Sequence, residues 1–448
     1  MFKYFPHTDR DLREMLAVIG VKSLDELYAE VPEELKLHRE LNLPDALSEH
    51  EVRERVQGLA DLNEQLVCFA GSGVYDHYTS AMVPYLASRS EFSTSYTPYQ
   101  AEISQGTLQY IFEYQTMMAR LTGMDVSNAS MYDGCTATAE AMLMMVASAK
   151  KRNRVAVSET LNPDVRRVVK TYAKYHGVEL TFIPAKNGVT DREMLNAELT
   201  KGDLAGVIVA QPNYYGITED FTGLADECHA QKTLLAINSV ASTLAVLKSQ
   251  GEWGADIACG DAQSLGIPMS YGGPYIGYLC TKNELIRKMP GRLVGQTEDV
   301  DGKRCFVLTM QAREQHIRRE KATSNICTAQ GVMCFYVACY LSLMGTKGLV
   351  EVNRQSAAAA HYMHDKLVEI QGVTDAFEGQ EYLNEFTVKV DTDVHTLQTV
   401  MAFEGWQCGV KTEGADNLLT LAVTEKRSKE EIDAFVEDFK EVLTSEEE

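Results

Sequence analysis

Residues 154–183 read RVAVSETLNPDVRRVVKTYAKYHGVELTFI, which predicts a buried strand, a helix and a second buried strand. The strand segments RVAVS and VELTFI are short and rich in β-branched residues. Similar segments follow along the chain: LAGVIVA at 204–210, TLLAI at 233–237, ADIAC at 255–259 and YIGYLC at 275–280. Alternating strands and helices predict a mostly parallel sheet with helices on both faces. Ligands of such sheets bind at the carboxyl ends of the strands.

The chain is predicted to have three parts. Residues 1–60 form a polar, helical arm, and residues 61–345 form a large α/β domain. In residues 346–448 a long helix precedes FTVKV, HTLQTVMAFEG, LLTLAV and the final helix SKEEIDAFVEDFKEVL, which predicts a small C-terminal α/β domain. This is the layout of the fold type I, aspartate aminotransferase-like enzymes that use pyridoxal phosphate (PLP). Layout alone does not establish function.

Composition excludes several classes of function. The 448 residues carry a net charge of −22, which argues against nucleic-acid binding because basic patches supply most of that affinity. The ten cysteines include no C-x-x-C pair and no metal-like cluster with histidine, and the N-terminus lacks the apolar core of a secretory signal. We therefore expect a cytoplasmic protein with reduced cysteines and no metal. The apolar run 331–345 is short for a membrane span and predicts a buried helix.

A lysine is missing where a PLP enzyme of this layout would carry one. The window 260–274, GDAQSLGIPMSYGGP, follows a predicted strand, and strand-end lysines in such settings form the Schiff base with PLP. The window holds no lysine, and residues 233–249 hold no Asp or Glu to pair with the pyridine nitrogen. Asn238 is the nearest polar substitute there, and it supplies no negative charge. Both the covalent anchor and the counter-charge of the ring are therefore absent.

A polar loop at 95–106, SYTPYQAEISQG, precedes a predicted amphipathic helix. Pro98 restricts its own φ and favours an extended Thr97, so the loop is a candidate wall of a site. The alternative is a polar loop whose tyrosines are half-buried packing residues. The candidate site residues of this loop are Tyr96, Thr97, Tyr99, Gln100 and Glu102.

A second segment, 132–144, places Gly134, Thr136 and Thr138 at the start of a predicted helix. Free backbone N–H groups at a helix start, joined by threonine hydroxyls, can hold a phosphate. In a chain without the lysine, such a turn would be the relic of a cofactor site. The alternative is ordinary capping by Asp133 or Thr136.

A third segment, 315–328, mixes basic residues with Thr-Ser-Asn before the apolar helix. Its candidate residues are Lys321, Thr323, Ser324 and Asn325, which would suit a phosphate or a carboxylate. The alternative is a solvated basic loop with a helix cap. Lys321 is also the nearest candidate for another Schiff-base lysine, although no predicted strand end presents it.

Several long stretches together resemble the P-protein of the glycine cleavage system, glycine dehydrogenase (decarboxylating). They are FPHTDRDLREMLAVIGVKSLDELY, SYTPYQAEISQGTLQYIFEYQTMMARLTGMDVSNASMYDGCTATAEAM, QPNYYG and REQHIRREKATSNICTAQ. The resemblance covers nearly the whole chain and is strongest to the first subunit of the two-subunit bacterial and archaeal form. In the family's second half the Schiff-base lysine stands five residues before a proline. Counted back from Pro268, with Pro274 closing the glycine run, that position is Gln263.

The resemblance implies a reaction and a set of partners. A second subunit would carry PLP and pair with this chain, as an α2β2 tetramer. The complex would decarboxylate glycine and transfer the aminomethyl group to the lipoyl arm of the H-protein, whose disulfide is the acceptor. NAD would not be used by this component. This chain would supply no catalytic residue alone, and its loops at Tyr96–Glu102 and Lys321–Asn325 would line the partner's site or the lipoyl entry.

Two other interpretations remain open at this point. The chain could be a non-catalytic scaffold or regulator that stabilises the PLP-bearing subunit, which the same two absences would suit. It could also be a self-sufficient PLP enzyme that uses Lys321.

Overall fold

The computed structural model describes residues 6–92, 97–149, 151–326 and 329–445. The helices are α1 Asp9–Ile19, α2 Glu49–Ala60, α3 Met82–Ala87, α4 Gln105–Thr122, α5 Gly134–Ser148, α6 Pro163–His176, α7 Arg192–Leu199, α8 Leu224–Ala230, α9 Gln315–Arg318, α10 Gly331–Leu367, α11 Val394–Phe403 and α12 Lys429–Ser445. The strands are β1 Val67–Cys68, β2 Val126–Ser127, β3 Arg154–Ser158, β4 Glu179–Ile183, β5 Ala185–Lys186, β6 Val189–Thr190, β7 Leu204–Ala210, β8 Leu234–Val240, β9 Ile257–Asp261, β10 Gly277–Thr281, β11 Leu293–Glu298, β12 Arg304–Thr309, β13 Val373–Asp375, β14 Glu385–Val390, β15 Trp406–Gln407, β16 Val410–Lys411 and β17 Leu418–Ala422.

Among the residues that the structure describes, those up to Glu64 form one compact unit, and those from Gln65 onward form another. The predicted arm, 1–60, lies within the first unit. Its helices α1 and α2 both begin with a capping box, Thr8 with Asp11 and Ser48 with Glu51, and neither helix has a buried residue. The second unit contains both of the predicted α/β domains, and their division at residue 346 stays a prediction.

A seven-stranded sheet organises the second unit, in the order β2-β10-β9-β8-β7-β3-β4. The strands from β9 to β4 pair in parallel, β10 pairs antiparallel with β9, and β2 pairs antiparallel with β10. One apolar core packs α5 and α6 against the sheet, and another packs α4 and α10. The predicted α/β fold, with a mostly parallel sheet covered on both faces, is confirmed.

A smaller antiparallel sheet, β13-β14-β17-β16, follows α10 in the chain. It shares a third apolar core with α11 and α12, in which Phe435 and Phe439 are fully buried. The short strand β1 pairs in parallel with β15, so the chain begins this unit beside residues of its C-terminal part. Further along, the backbone of Tyr75 contacts Gln263, just after β9 of the large sheet.

Helix α10 combines the predicted apolar run and the long helix that follows it. Gly345 interrupts it with non-helical angles, φ 57° and ψ −175°. Of the helices in the described ranges, α10 is the one long and apolar enough to cross a membrane by length and composition. Its first half nevertheless buries Cys334, Val337 and Tyr340 in the core of the unit, as the buried-helix prediction required.

Gly260 of β9 is a position that requires glycine. Its φ is +151°, and a Cβ atom there would lie 1.9 Å from the backbone oxygen of Ser239 in β8. We expect Gly260→Ala to lower the free energy of unfolding by about 2 kcal/mol or more, because the two strands must separate to admit the methyl group. Denaturant-induced unfolding of the full chain measures this change.

Gly106→Ala is the matched control. Gly106 lies in the first turn of α4, where an added Cβ would meet no atom within 4 Å. Alanine is favoured over glycine in a helix by about 0.5–1 kcal/mol, so this variant should be as stable as the parent chain or slightly more stable. Equal unfolding curves for the two variants would contradict the assignment of Gly260.

Candidate functional site

The candidate site lies at the carboxyl ends of β8 and β9, beside the first turn of α5. Asn238 stands in β8 opposite Cys259 of β9, and Gln263 follows β9 by two residues. Gly134 begins α5 and its backbone contacts Asp261 at the end of β9. Carboxyl strand ends and a helix N-terminus are the elements that bind ligands in folds of this class.

The side chain of Gln263 is fully engaged at the position of the missing lysine. It is 2% exposed, and its amide pairs with the backbone of Tyr75. The Tyr75 N–H donates to Oε1 at 3.0 Å, and Nε2 donates to the Tyr75 carbonyl at 3.1 Å and to the Ile267 carbonyl at 2.7 Å. The ammonium group of a lysine could donate but not accept, so it would leave the Tyr75 N–H without its acceptor.

The segment that Gln263 holds is also anchored to the smaller sheet. The Tyr75 hydroxyl donates to Glu385 Oε2 at 2.8 Å, and the Ser72 N–H donates to Glu385 Oε1 at 2.5 Å. Glu385 lies in β14, and its burial raises its pKa to about 7 against the opposing effect of these hydrogen bonds. Residues 72–75 therefore tie the end of β9 to β14.

The first turn of α5 already binds carboxylates of the chain itself. Asp133 caps the helix, because the Thr136 N–H donates to Asp133 Oδ1 at 2.8 Å. The Gly134 N–H donates to Asp261 Oδ2 at 3.0 Å, and Asp261 Oδ1 accepts the Gln263 N–H at 2.7 Å. These are the helix-start amides that a phosphate would need. Capping by Asp133, the alternative interpretation of this turn, is what the structure has.

Electrostatics at this turn disfavour an anion. Loss of hydration raises the pKa of Asp261 to about 7, although part of its surface reaches solvent. The thiol of Cys135 has a pKa raised to about 12, first by burial and then by Asp133, Asp164 and Asp261. A helix N-terminus ordinarily lowers the pKa of a thiol. Burial, assisted by the carboxylates, therefore outweighs the helix dipole and favours the thiol form of Cys135.

Asn238, at the position where a PLP enzyme would carry the acidic partner of the pyridine nitrogen, is hydrogen-bonded within the chain. Asn238 Nδ2 donates to Thr138 Oγ1 at 2.7 Å, and that hydroxyl donates to the Gly134 carbonyl at 2.8 Å. Neither group carries a charge. Taken with Gln263 and the carboxylates at α5, the residues at these strand ends do not fit PLP.

The loop before α4 lies against a cavity and an arginine. Tyr96 is outside the described residues. Thr97 is half-buried and lines a cavity of about 640 Å³, and Tyr99 is 52% exposed with its hydroxyl accepting from Arg292 Nη2 at 2.7 Å. The carbonyl of Gln100 accepts the N–H groups of the next turn, and Glu102 is exposed.

The loop at Lys321–Asn325 lies against residues 290–291, next to the arginine that the first loop contacts. Thr323 and Ser324 line a narrow crevice with Pro290 and Gly291, next to Arg292. Lys321 is exposed at the end of a 3-10 turn and Asn325 is exposed. No strand end presents Lys321, so its geometry gives no support to a Schiff-base role. The two predicted loops therefore converge on residues 290–292.

Sequence reasoning missed the charged residues that shape this region. Asp261 stood in the window that was searched for a lysine, and Arg292 and Glu385 had no motif around them. Glu140 is 0% exposed in α5, and neither carboxyl oxygen has a hydrogen-bond partner among the described residues. Burial raises its pKa to about 7, although the nearby Ser324 hydroxyl lowers it. Its signal was a carboxylate inside the apolar run AEAMLMM.

Similarity to known proteins shows which family this chain belongs to. The family described as "Glycine cleavage system P-protein" matches residues 2–439. The chain belongs to this P-protein family. Relatives in Moorella thermoacetica and Carboxydothermus hydrogenoformans are 45% identical over 445 residues and 46% identical over 441 residues, and the alignments cover 97–98% of this chain and 98–99% of theirs. Both are named probable glycine dehydrogenase (decarboxylating) subunit 1.

Solved structures confirm the fold of this P-protein family member. The crystal structure of a glycine decarboxylase (P-protein) in inhibitor-bound form matches with a TM-score of 0.91 and 41% identity, over 99% of this chain and 100% of that one. A Lactobacillus brevis glutamate decarboxylase matches with a TM-score of 0.68 and 13% identity over 92% of this chain and 96% of that one. The predicted PLP-dependent, fold type I architecture is confirmed.

Gln263→Lys should not create a PLP-binding chain. The lysine would lose the acceptor of the Tyr75 N–H, and Asp133 and Asp261 would still occupy the helix-start amides. We expect no Schiff-base absorption in the visible range when PLP is added, and a free energy of unfolding lower by about 1–3 kcal/mol because a buried donor is left unsatisfied.

Gln371→Lys is the matched control for that experiment. Gln371 is exposed, so its variant reports the imine that any surface lysine forms with PLP. A stoichiometric Schiff base in Gln263→Lys beyond the amount in Gln371→Lys would show that the site still accepts the cofactor. That outcome would contradict the conclusion that the residues at the strand ends do not fit PLP.

Glu140→Gln should change how stability depends on pH. Since the pKa of Glu140 is about 7 in the folded chain and lies near 4.3 in unfolded chains, folding favours its protonated form. Its ionisation therefore removes stability as pH rises from about 4 to about 7. We expect Glu140→Gln to be more stable than the parent at pH 8, by on the order of 2 kcal/mol.

Denaturant unfolding of both proteins at pH 5 and pH 8 measures this difference. Glu404→Gln is the control, because Glu404 is exposed. The gain of Glu140→Gln should be small at pH 5 and large at pH 8, whereas Glu404→Gln should show no such difference. A gain that is the same at both pH values would refute the role given to ionisation.

Proposed function

We propose that this chain is one subunit of a two-subunit glycine decarboxylase of the glycine cleavage system, and that a second subunit carries PLP. Membership of the P-protein family and full-length similarity to relatives named subunit 1 support the role. The observation that carries the division of labour is Gln263, whose amide is bound to Tyr75 at the position where the family's second half carries the Schiff-base lysine. The assembly is a cytoplasmic α2β2 complex.

The complex decarboxylates glycine and transfers the aminomethyl group to the lipoyl arm of the H-protein, so it is an oxidoreductase that acts on a CH–NH2 group with a disulfide acceptor. PLP on the second subunit supplies the stabilisation of the carbanion. This chain needs neither a metal nor NAD. It is active only with its partner, because its own strand ends do not fit the cofactor.

The contribution of this chain is a surface beside the partner's site. The loops at 97–102 and 321–325 both approach residues 290–292, since Tyr99 contacts Arg292, and Thr323 and Ser324 line a crevice with Pro290 and Gly291. Lys321 is exposed on the second loop. Their convergence supports a composite site, in which these loops line the partner's pocket or the entry of the lipoyl arm.

A scaffold role is the second candidate function. The internal hydrogen bonds of Gln263, Asn238 and Asp261 leave a self-contained fold at the strand ends, as a purely structural subunit would have. Reconstitution separates the two functions. Release of labelled CO2 from glycine by the second subunit alone, with H-protein present, should be negligible if this chain completes the site. Full activity of the second subunit alone would favour the scaffold.

Lys321→Ala and Tyr96→Phe, each in the reconstituted complex, test the composite site. We expect each to lower glycine turnover by about tenfold or more, because a composite site would use these polar groups to stabilise charge that develops in the reaction. Assembly, followed by size-exclusion chromatography, should be unchanged.

Lys347→Ala and Tyr175→Phe are the matched controls, since both residues are exposed in other parts of the chain. They should leave turnover at the parental rate. If all four variants behave alike and remain fully active, the two loops are structural and the composite-site proposal fails, while membership of the complex still stands on reconstitution.

A further inference from the structure

The cavity beside Thr97 is built like a small-molecule site. It encloses about 640 Å³, and much of its wall is apolar, with Tyr110 and Ile111 of α4, Val294 and Leu308 of the β11–β12 hairpin, and Met333 of α10. Small-molecule sites have volumes of about 300–1,000 Å³ and apolar walls with a few placed polar groups. Neither Gln263 nor Asp261 lines this cavity. Tyr132 and Pro274, which do line it, flank that strand-end site along the chain.

Arg292 is the one charged side chain among the described residues that line the cavity. It is 5% exposed and lies directly before β11. The Tyr99 hydroxyl accepts from Nη2 at 2.7 Å, and the centre of the Tyr99 ring lies 5.0 Å from the guanidinium carbon. Tyr99 is therefore one of the groups that hold the guanidinium in place. A ligand in the cavity would meet a single, oriented positive charge in a protein whose net charge is −22.

The polar groups of the wall are neutral. Thr97, Thr107 and Tyr132 bring hydroxyls to it, and Gln330 brings an amide. No Asp or Glu is among the lining residues in the described ranges. One guanidinium with neutral neighbours matches one carboxylate, to which arginine forms strong charge-assisted hydrogen bonds. A phosphate dianion would call for more positive charge than this wall holds.

We propose that this cavity binds a small monocarboxylate with an apolar body, whose carboxylate pairs with Arg292. The apolar part lies against Ile111 and the β11–β12 hairpin. Chain length is limited by the enclosed volume, and charge selects acids over amides of the same shape. This proposal concerns the chain by itself and does not depend on the proposed function.

Titration of the full-length chain with octanoate and with octanamide tests the proposal, because the two probes share the apolar body and differ in charge. Isothermal titration calorimetry should show saturable binding of one octanoate per chain, and binding of octanamide at least tenfold weaker. Arg292→Met should weaken octanoate binding by at least tenfold. Lipoamide, an uncharged probe with a bulkier end, should bind no better than octanamide.

Two further variants keep the test decisive if Arg292→Met does not fold. Ala329→Phe places a ring in the cavity without touching the charge, and it should abolish octanoate binding. Arg304→Met removes an exposed arginine from the same hairpin and should leave binding unchanged.

Three results would overturn the proposal. They are equal affinity for octanoate and octanamide, octanoate binding that survives both Arg292→Met and Ala329→Phe, and no saturable binding of octanoate to the parent chain. Lipoamide that binds as tightly as octanoate would assign the cavity to an uncharged lipoyl arm, and the carboxylate proposal would fail on that result as well.

Discussion

The pairing between the Gln263 amide and the backbone of Tyr75 holds the region around the strand ends together. A glutamine side chain can donate and accept at once, so it binds an extended backbone residue much as a neighbouring strand does. Through Tyr75 and Ser72 the same segment reaches Glu385, which joins the parallel sheet to the smaller antiparallel one. A lysine cannot make this pair of bonds. The residue that excludes a Schiff base is therefore also the residue that positions the segment.

At the first turn of α5, as at Gln263, groups of the chain itself occupy the positions that a cofactor would need. Here those groups are carboxylates. Unsatisfied N–H groups at a helix start attract an anion, and here Asp133 and Asp261 supply it from within the chain. Burial near these carboxylates raises the pKa of Cys135 and of Asp261 itself. Because the turn already binds carboxylates of its own chain, a phosphate would have to displace one of them. The missing Schiff-base lysine and the occupied helix-start amides therefore both disfavour PLP binding by this chain.

Much of the fold could be predicted from the sequence because it depends on local patterns. Segments such as LAGVIVA and PDVRRVVKTYAKYH carry their own periodicity and end signals, and β7 and α6 occupy those residues as predicted. The candidate site was predicted only in part. Gln263 and Asn238 were found because an expected residue type was missing from a strand end. Arg292 and Glu140 were not found, because a charge in a loop or in an apolar helix gains meaning only from what surrounds it.

The sequence by itself determined the α/β class, the family and the absence of a Schiff-base lysine, since each of these rests on residue identity and spacing along the chain. Tertiary structure decided what occupies the resulting site. The contacts of Gln263 with Tyr75 and of Tyr75 with Glu385 join residues separated by 188 and 310 positions, and no local pattern specifies such pairs. Burial decided the rest, because desolvation acts only on groups that folding has removed from water. It turned Asp261 and Glu140 into carboxyls with raised pKa values, and it enclosed Arg292 in an apolar cavity.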